Sequence, residues 1–297
     1  MKDKLILITG GSSGIGLDLA KEYSREGCSI ILLARNQARL DDALMQCKDL
    51  MDHDTQEFYA FSADVDDQEQ LKNVVSTIIT DIGVPDILVL SAGIVQSATL
   101  MRQSEEEFSA LLHTNVLGSR RVAKLFIPHM VEANQEASDS NPQNKAMRCH
   151  RQICFVGSLG GLIPTYGYSG YGASKFAIVG LAGALRQELA QHDIGVSVLC
   201  PPEVDTPMVE KEADHILPQT RFIKDIGGTL DVEVVSRAAF KGILKNKFII
   251  VPGIMAKMSY LQMRLVPGIF LWVMQKLVNL AERFVKKTDK KPLDNAL

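Results

Sequence analysis

The chain has 297 residues, 46% of them hydrophobic and 23% charged, with a formal net charge of −3 and an isoelectric point near 6.1. These are globular values that exclude a largely disordered chain, and they give no electrostatic case for a nucleic-acid partner. The five dispersed cysteines, Cys28, Cys47, Cys149, Cys154 and Cys200, form no CxxC pair, which argues against a disulfide framework or zinc knuckle and fits a reducing compartment.

The chain opens with Lys4–Thr9, an apolar run too short for a signal-peptide core and read as a buried strand. Further strands are predicted at Ser29–Ala34, Phe58–Ala63, Asp86–Ser91, Gln152–Ser158, Val196–Cys200 and Phe248–Val251. Between them fall helical patterns at Ile15–Arg25, Gln37–Met51, Asp67–Ile82, Asn115–Val131, Ser169–Gln191 and Val232–Leu244. Continuous apolar strands alternating with helices predict an α/β fold, a parallel sheet covered on both faces. The alternation places one domain over residues 1–253 and a helical extension over 254–297. Glu132–Arg151, rich in Asn, Gln, Ser, Asp and Ala and lacking periodicity, is expected to be an exposed inserted loop.

The first strand runs into Thr9-Gly10-Gly11-Ser12-Ser13-Gly14-Ile15-Gly16, where a helix begins. Glycines in that context let backbone approach a pyrophosphate, with the N–H groups and positive end of the helix facing it. This makes Gly10, Ser12, Ser13, Gly14, Ile15 and Gly16 a candidate dinucleotide-phosphate cradle. The second strand ends Leu33-Ala34-Arg35-Asn36 with no carboxylate before Asp41, so Arg35, helped by Arg39, is a candidate for a ribose 2′-phosphate; this favours NADPH over NADH. The other reading of Arg35 is a solvated surface cation. Asp64 and Val65 follow the third strand, and Ala92 and Gly93 the fourth, at the carboxyl edge where open sheets bind ligands.

Tyr171 and Lys175 are four apart in a helical pattern and so share one face. An ammonium near a phenol favours the phenolate, so Lys175 is expected to lower the tyrosine pKa and make Tyr171 usable as an acid or base. Ser158, at the end of the preceding strand, is placed to hydrogen-bond a substrate carbonyl oxygen, and Asn115 to hold a water behind the lysine. A YxxxK spacing is common in itself; beside a strand-end serine and a glycine-rich first turn it becomes specific. No HxH, HxxxH or HExxH spacing occurs among the six histidines, so no metal is expected.

From about Lys4 to Val251 the chain resembles the short-chain dehydrogenase/reductase family, whose TGxxxGIG pattern falls on Thr9 to Gly16 and whose Asn, Ser, Tyr and Lys fall on Asn115, Ser158, Tyr171 and Lys175. The resemblance implies a Rossmann-like doubly wound sheet and hydride transfer from a nicotinamide without metal. It implies a proton from Tyr171 and a ribose contact from Lys175. It further implies homo-oligomers assembled through the helices that follow Asn115 and Tyr171. The family's Pro-Gly-x-Val-x-Thr segment appears as Pro201-Pro202-Glu203-Val204-Asp205-Thr206, where Thr206 would meet the nicotinamide carboxamide with Val204 beside it. Pro202 in place of glycine removes a flexible point and an N–H. With Tyr171-Gly-Ala-Ser-Lys-Phe-Ala-Ile178, this departure resembles the branch of the family that reduces 3-ketodihydrosphingosine. A second departure, Ser91 where the family has asparagine, touches only a supporting hydrogen bond.

Two segments bear on the substrate. Met208, Val209, Ile216, Leu217, Phe222 and Ile223 lie between Thr206 and Asp231 and are read either as a cover over a long-chain ligand or as ordinary core packing of a short helix pair. Past Gly253 the longest charge-free run, Leu265–Gln275, is far below the ~20 apolar residues of a bilayer span. From Ile269 to Lys286, positions 275, 276, 279, 282, 283 and 286 form a polar face opposite Ile269, Phe270, Val273, Leu277, Leu280 and Phe284, with Lys276, Arg283, Lys286 and Lys287 giving a cationic bias. Such a helix either lies in a membrane interface or docks on protein. The expectation is an NADPH-dependent reductase of a 3-keto group on a long-chain lipid, in peripheral contact with a membrane or free in the cytoplasm; the alternatives are the same chemistry on a 3-oxoacyl thioester, a steroid or a xenobiotic ketone, and a non-catalytic nucleotide-binding scaffold on this fold. If the source is eukaryotic, that contact would be the cytoplasmic face of the endoplasmic reticulum.

Overall fold

The computed structural model describes residues 1–140 and 151–288. Seven parallel strands form one sheet in the order β3-β2-β1-β4-β5-β6-β9: β1 (Leu5–Thr9), β2 (Ser29–Ala34), β3 (Phe58–Ser62), β4 (Ile87–Leu90), β5 (Arg151–Val156), β6 (Ile194–Leu199) and β9 (Ile249–Ile250). A separate small pair joins β7 (Glu203–Val204) to β8 (Thr229–Leu230). Alternate side chains of each strand point to opposite faces, so both faces must be covered. Leu7, Ile31, Phe155 and Phe126 pack on one face, and Ile6, Ile8, Tyr23, Leu32 and Phe240 on the other.

The covering helices are α1 (Gly14–Arg25), α2 (Gln37–Lys48), α3 (Gln68–Asp81), α4 (Glu105–Leu111), α5 (Ser119–Ser140), α6 (Ser169–Glu188) and α9 (Val232–Leu244). Helix α4, which the periodicity did not announce, is nucleated by a capping box of Ser104 and Glu107. A wider π-type turn, Leu112–Gly118, leads into α5. The inserted loop expected over Glu132–Arg151 is corrected at both ends. Residues 132–140 continue α5, Arg151 begins β5, and residues 141–150 lie outside the described residues. Glu, Gln and Ala in that stretch are good helix formers even without an amphipathic period.

The chain reverses its order of strands at β1, which has β2 on one side and β4 on the other. Such a switch point opens a crevice at the carboxyl ends of the strands. Over the crevice lie α7 (Pro207–Ala213) and α8 (Pro218–Gly227), and behind them α10 (Ile254–Leu265) and α11 (Pro267–Thr288). Helix α11 packs along α8, with Phe222 and Phe284 stacked at 5.9 Å. Its docked side is Phe270, Val278 and Ala281, all buried, while Ile269 and Phe284 stay exposed. Of the apolar face read from sequence, Ile269, Phe270, Val273 and Leu277 turn towards the crevice and Phe284 meets Phe222 of α8.

Candidate active site

The glycine turn after β1 is built by close approach. Gly10 has φ +65°, and a Cβ there would lie 2.8 Å from the Ala92 nitrogen; one on Gly16 would lie 2.5 Å from the Gly10 carbonyl oxygen. The Thr9 hydroxyl accepts from Ser91 N–H (3.1 Å) and Ala92 N–H (3.2 Å), tying the first and fourth strand ends together. Ser13 caps α1 without a side-chain hydrogen bond, and no acidic residue occupies the first turn, so the positive end of the helix is open to an anion.

A cavity of about 890 Å³ runs from this turn across the sheet edge. Gly10, Ser12, Ser13, Gly14 and Ile15 form one end with Arg35, Arg39, Asp64 and Val65; Ala92, Gly93, Ser158, Tyr171, Lys175, Val204 and Thr206 follow. Gly16 lies behind the wall and serves packing. Arg35 is exposed and only 3.9 Å from Asp64, a loose pair that leaves its guanidinium free to meet another anion. Thr206 sits against the glycine turn, since a Cβ on Gly14 would be 3.3 Å from its methyl group.

Lys175 is buried, its Nζ 5.7 Å from the centre of the Tyr171 ring and donating to the Val156 carbonyl (3.0 Å). The tyrosine pKa, expected to be lowered, is instead raised. Burial pushes Tyr171 up to about 12, against a hydrogen bond with Ser158 that favours the phenolate, and burial brings Lys175 down to about 8. The phenol is therefore protonated at neutral pH and poised as a donor. Ser158 also accepts from Gly160 N–H at 3.1 Å.

Asn115 is buried and does not line the cavity. Its Oδ1 accepts from Ile94 N–H (2.8 Å), and its Nδ2 donates to the Ile94 carbonyl (3.0 Å) and the Ser174 hydroxyl (2.9 Å). The side chain thus braces the β4 loop against α6.

Three features escaped sequence reasoning. Tyr168 lies 5.1 Å from the Tyr171 ring and donates to Glu212 (2.6 Å); both join the cavity wall. Glu203 and Lys224 complete that wall through ion pairs between segments far apart in sequence, which no local spacing reveals. The C-terminal helices also line the cavity, through Met255, Ser259, Gln262, Phe270 and Met274. Of the cover segment, Met208, Val209 and Ile223 face the cavity, whereas Phe222 faces α11. Cys28, Cys47, Cys154 and Cys200 are buried free thiols, and among the described residues no three His, Cys, Asp or Glu side chains converge as metal ligands.

A phenol, a hydroxyl and an ammonium meeting beside a dinucleotide-sized cradle can bind a carbonyl oxygen and give it a proton. Comparison with known proteins agrees in kind. A family model described as short chain dehydrogenase matches residues 4–216. A 3-dehydrosphinganine reductase of Arabidopsis thaliana is 34% identical over 248 residues, 84% of this chain and 69% of the relative. A 3-oxoacyl-[acyl-carrier-protein] reductase of Thermotoga maritima is 28% identical over 211 residues, 71% of this chain and 78% of the relative. Among solved structures, an actinorhodin polyketide ketoreductase with NADPH superposes with a TM-score of 0.72 at 24% identity, covering 84% of this chain and 97% of that one. The chain belongs to the short-chain dehydrogenase family, oxidoreductases acting on CH–OH and C=O groups.

Proposed function

We propose that this protein uses NADPH to reduce the 3-keto group of a long-chain lipid, 3-ketodihydrosphingosine to dihydrosphingosine. The observation that carries the reading is the continuity of one cavity, from the glycine turn past Tyr171 to an apolar wall made by α7, α8, α10 and α11. The similarity to a 3-dehydrosphinganine reductase supports the same substrate class.

The residues present fit the cofactor. The uncapped start of α1 and the bare Gly10 and Gly14 would hold the pyrophosphate, Arg35 and Arg39 the 2′-phosphate, and Val204 and Thr206 the carboxamide. When bound, NADPH supplies a hydride. Ser158 and Tyr171 hydrogen-bond the carbonyl oxygen, and Tyr171 gives it the proton its raised pKa keeps in place. Lys175 stabilises the phenolate left behind. Asn115 positions this machinery by holding Ser174, one residue from that lysine, to the Ile94 loop.

The lipid is met at a membrane surface. On α10, Ile254, Met258, Leu261 and Leu265 recur at helical spacing and are exposed, and Trp272 on α11 is 63% exposed. From Ile254 to Ala281 the chain carries Lys257, Arg264 and Lys276 and no carboxylate, which suits an anionic bilayer interface. Among the described residues no helix is long and apolar enough to cross a membrane. Pairing of two copies along α5 and α6 belongs to the same reading; Phe176 of α6 is exposed at 44% in the single chain.

The test is product identification by mass spectrometry after incubation with 3-ketodihydrosphingosine and NADPH deuterated at the transferring carbon. Dihydrosphingosine bearing one deuterium at C3 is expected. Unchanged ketone from protein that reduces another carbonyl compound would discard the sphingoid assignment.

A further inference from the structure

The ion-pair cluster beside the catalytic tyrosine has no part in the proton transfer just described. Its two carboxylates, Glu203 of β7 and Glu212 of α7, have side chains only 4% exposed. Burying two carboxylates is costly unless each is fully paired. Glu203 is held rigidly: Arg221 of α8 grips it with both terminal nitrogens (2.7 and 3.1 Å), the Thr229 hydroxyl donates to it (2.9 Å), and Lys224 pairs with it closely. Glu212 has a lighter set of partners, the Tyr168 hydroxyl (2.6 Å) and the Lys224 ammonium (2.9 Å).

Lys224 serves Glu203, Glu212 and the Tyr168 hydroxyl (3.0 Å) at once. An ammonium has three donors and all three are engaged. It stands on a flexible stem from the cover helix α8, and Glu203 remains its partner if it leaves Glu212. Glu212 and Lys224 both line the cavity that holds Tyr171, and Tyr168 bridges Glu212 to the Tyr171 ring. On the wall of the cavity that holds Tyr171 there is thus a buried carboxylate, one side chain removed from the Tyr171 ring, whose present guest is a primary alkylammonium.

We propose that Glu212 is the seat of the substrate's own ammonium, so that the preferred substrate is a long-chain ketone with an amine on the carbon next to the carbonyl. The inference rests on the proposed function and adds a specificity residue to it. On binding, the substrate ammonium takes the place of Lys224 on Glu212, Lys224 stays with Glu203, and Tyr168 keeps its hydrogen bond to the carboxylate. Two cations exchange on one anion, so no carboxylate is left buried and unpaired. The contact fixes which way the ketone lies against Tyr171, because the amine is one carbon from the reacting centre.

The test compares two ketones of equal chain length in mixed micelles, 3-ketodihydrosphingosine and its analogue lacking the amine, each with the unmodified protein and with Glu212→Gln. The unmodified protein is expected to prefer the amino ketone by tenfold or more in kcat/KM. Glu212→Gln is expected to lose about tenfold on the amino ketone, chiefly in KM, while the des-amino ketone changes by less than about threefold. Equal kcat/KM for the two ketones in the unmodified protein overturns the inference without recourse to any variant. An equal fall on both ketones in Glu212→Gln, which a purely structural ion pair predicts, overturns it as well. Reduction of a 3-oxoacyl thioester with no turnover of either sphingoid ketone overturns the proposed function and this inference with it.

Discussion

Tyr171→Phe removes one hydroxyl from the centre of the site and leaves its shape intact. The ring keeps its volume and its packing against Tyr168, whose centroid is 5.1 Å away. Ser158 loses its bond to the phenol but keeps the one from Gly160 N–H at 3.1 Å. The stability change is therefore small, about 1 kcal/mol for one hydrogen bond. The catalytic loss is larger. With burial holding the phenol at about 12, it is a protonated donor across the neutral range, and the neighbouring Tyr168 hydroxyl is already donated to Glu212. A positioned general acid contributes about 10²- to 10⁴-fold, which at about 1.4 kcal/mol per decade is a barrier increase of roughly 3–5 kcal/mol. The assay is NADPH oxidation with a ketone substrate for kcat/KM, with NADPH affinity by fluorescence titration and thermal melting alongside. We expect kcat/KM to fall at least about a hundredfold while NADPH affinity stays within about threefold. A variant with kcat/KM within about threefold of the parent would refute Tyr171 as the proton donor.

Arg35→Asp places a carboxylate where the 2′-phosphate is proposed to lie and should weaken NADPH relative to NADH by more than about 1.4 kcal/mol, a tenfold shift in the ratio of affinities; an unchanged ratio removes Arg35 from that role. Leu261→Glu with Leu265→Glu alters positions already 55% and 69% exposed, so melting should barely change. Sedimentation with phosphatidylserine vesicles should fall about tenfold or more, and undiminished sedimentation would reject this face as the membrane contact. At Glu203 burial opposes ionisation, but hydrogen bonds from Arg221, Lys224 and Thr229 together overcome it and hold the carboxyl at about 2. The stability it contributes is full above the ordinary value of 4.5 and lost as pH falls towards about 2. Denaturant unfolding should thus show the parent more stable than Glu203→Gln at neutral pH, by on the order of 3 kcal/mol, with the gap closing in acid; a gap independent of pH would contradict the pairing.

What could be read in advance follows the range of the interactions involved. Strand β1 and helix α9 (Val232–Leu244) were legible because apolar runs and helical periodicity are local. So was the pairing of a glycine turn with Tyr171 and Lys175, since each motif gains its specificity from the presence of the other. The direction of the Tyr171 shift was not legible: an ammonium four residues away is visible in sequence, whereas the burial that outweighs it is a property of the packed site. Asn115, read at a loop-to-helix boundary, lies within the π-type turn Leu112–Gly118, and its bracing role was not legible because its partners, Ile94 and Ser174, come from other elements. That α11 packs along α8 was not legible, because an amphipathic stripe alone leaves both membrane and protein contact open. The Glu203, Glu212, Arg221 and Lys224 cluster joins α7, β7 and α8 only once the cover has folded.

The central claim is most directly tested by following NADPH oxidation with purified protein and three ketones in mixed micelles: 3-ketodihydrosphingosine, a 3-oxoacyl thioester and a steroid ketone. Fast turnover of the sphingoid ketone, with the other two slow, is the predicted result. Turnover of the thioester or the steroid with none of the sphingoid ketone would contradict the substrate assignment while leaving the proton-transfer chemistry of Tyr171 in place.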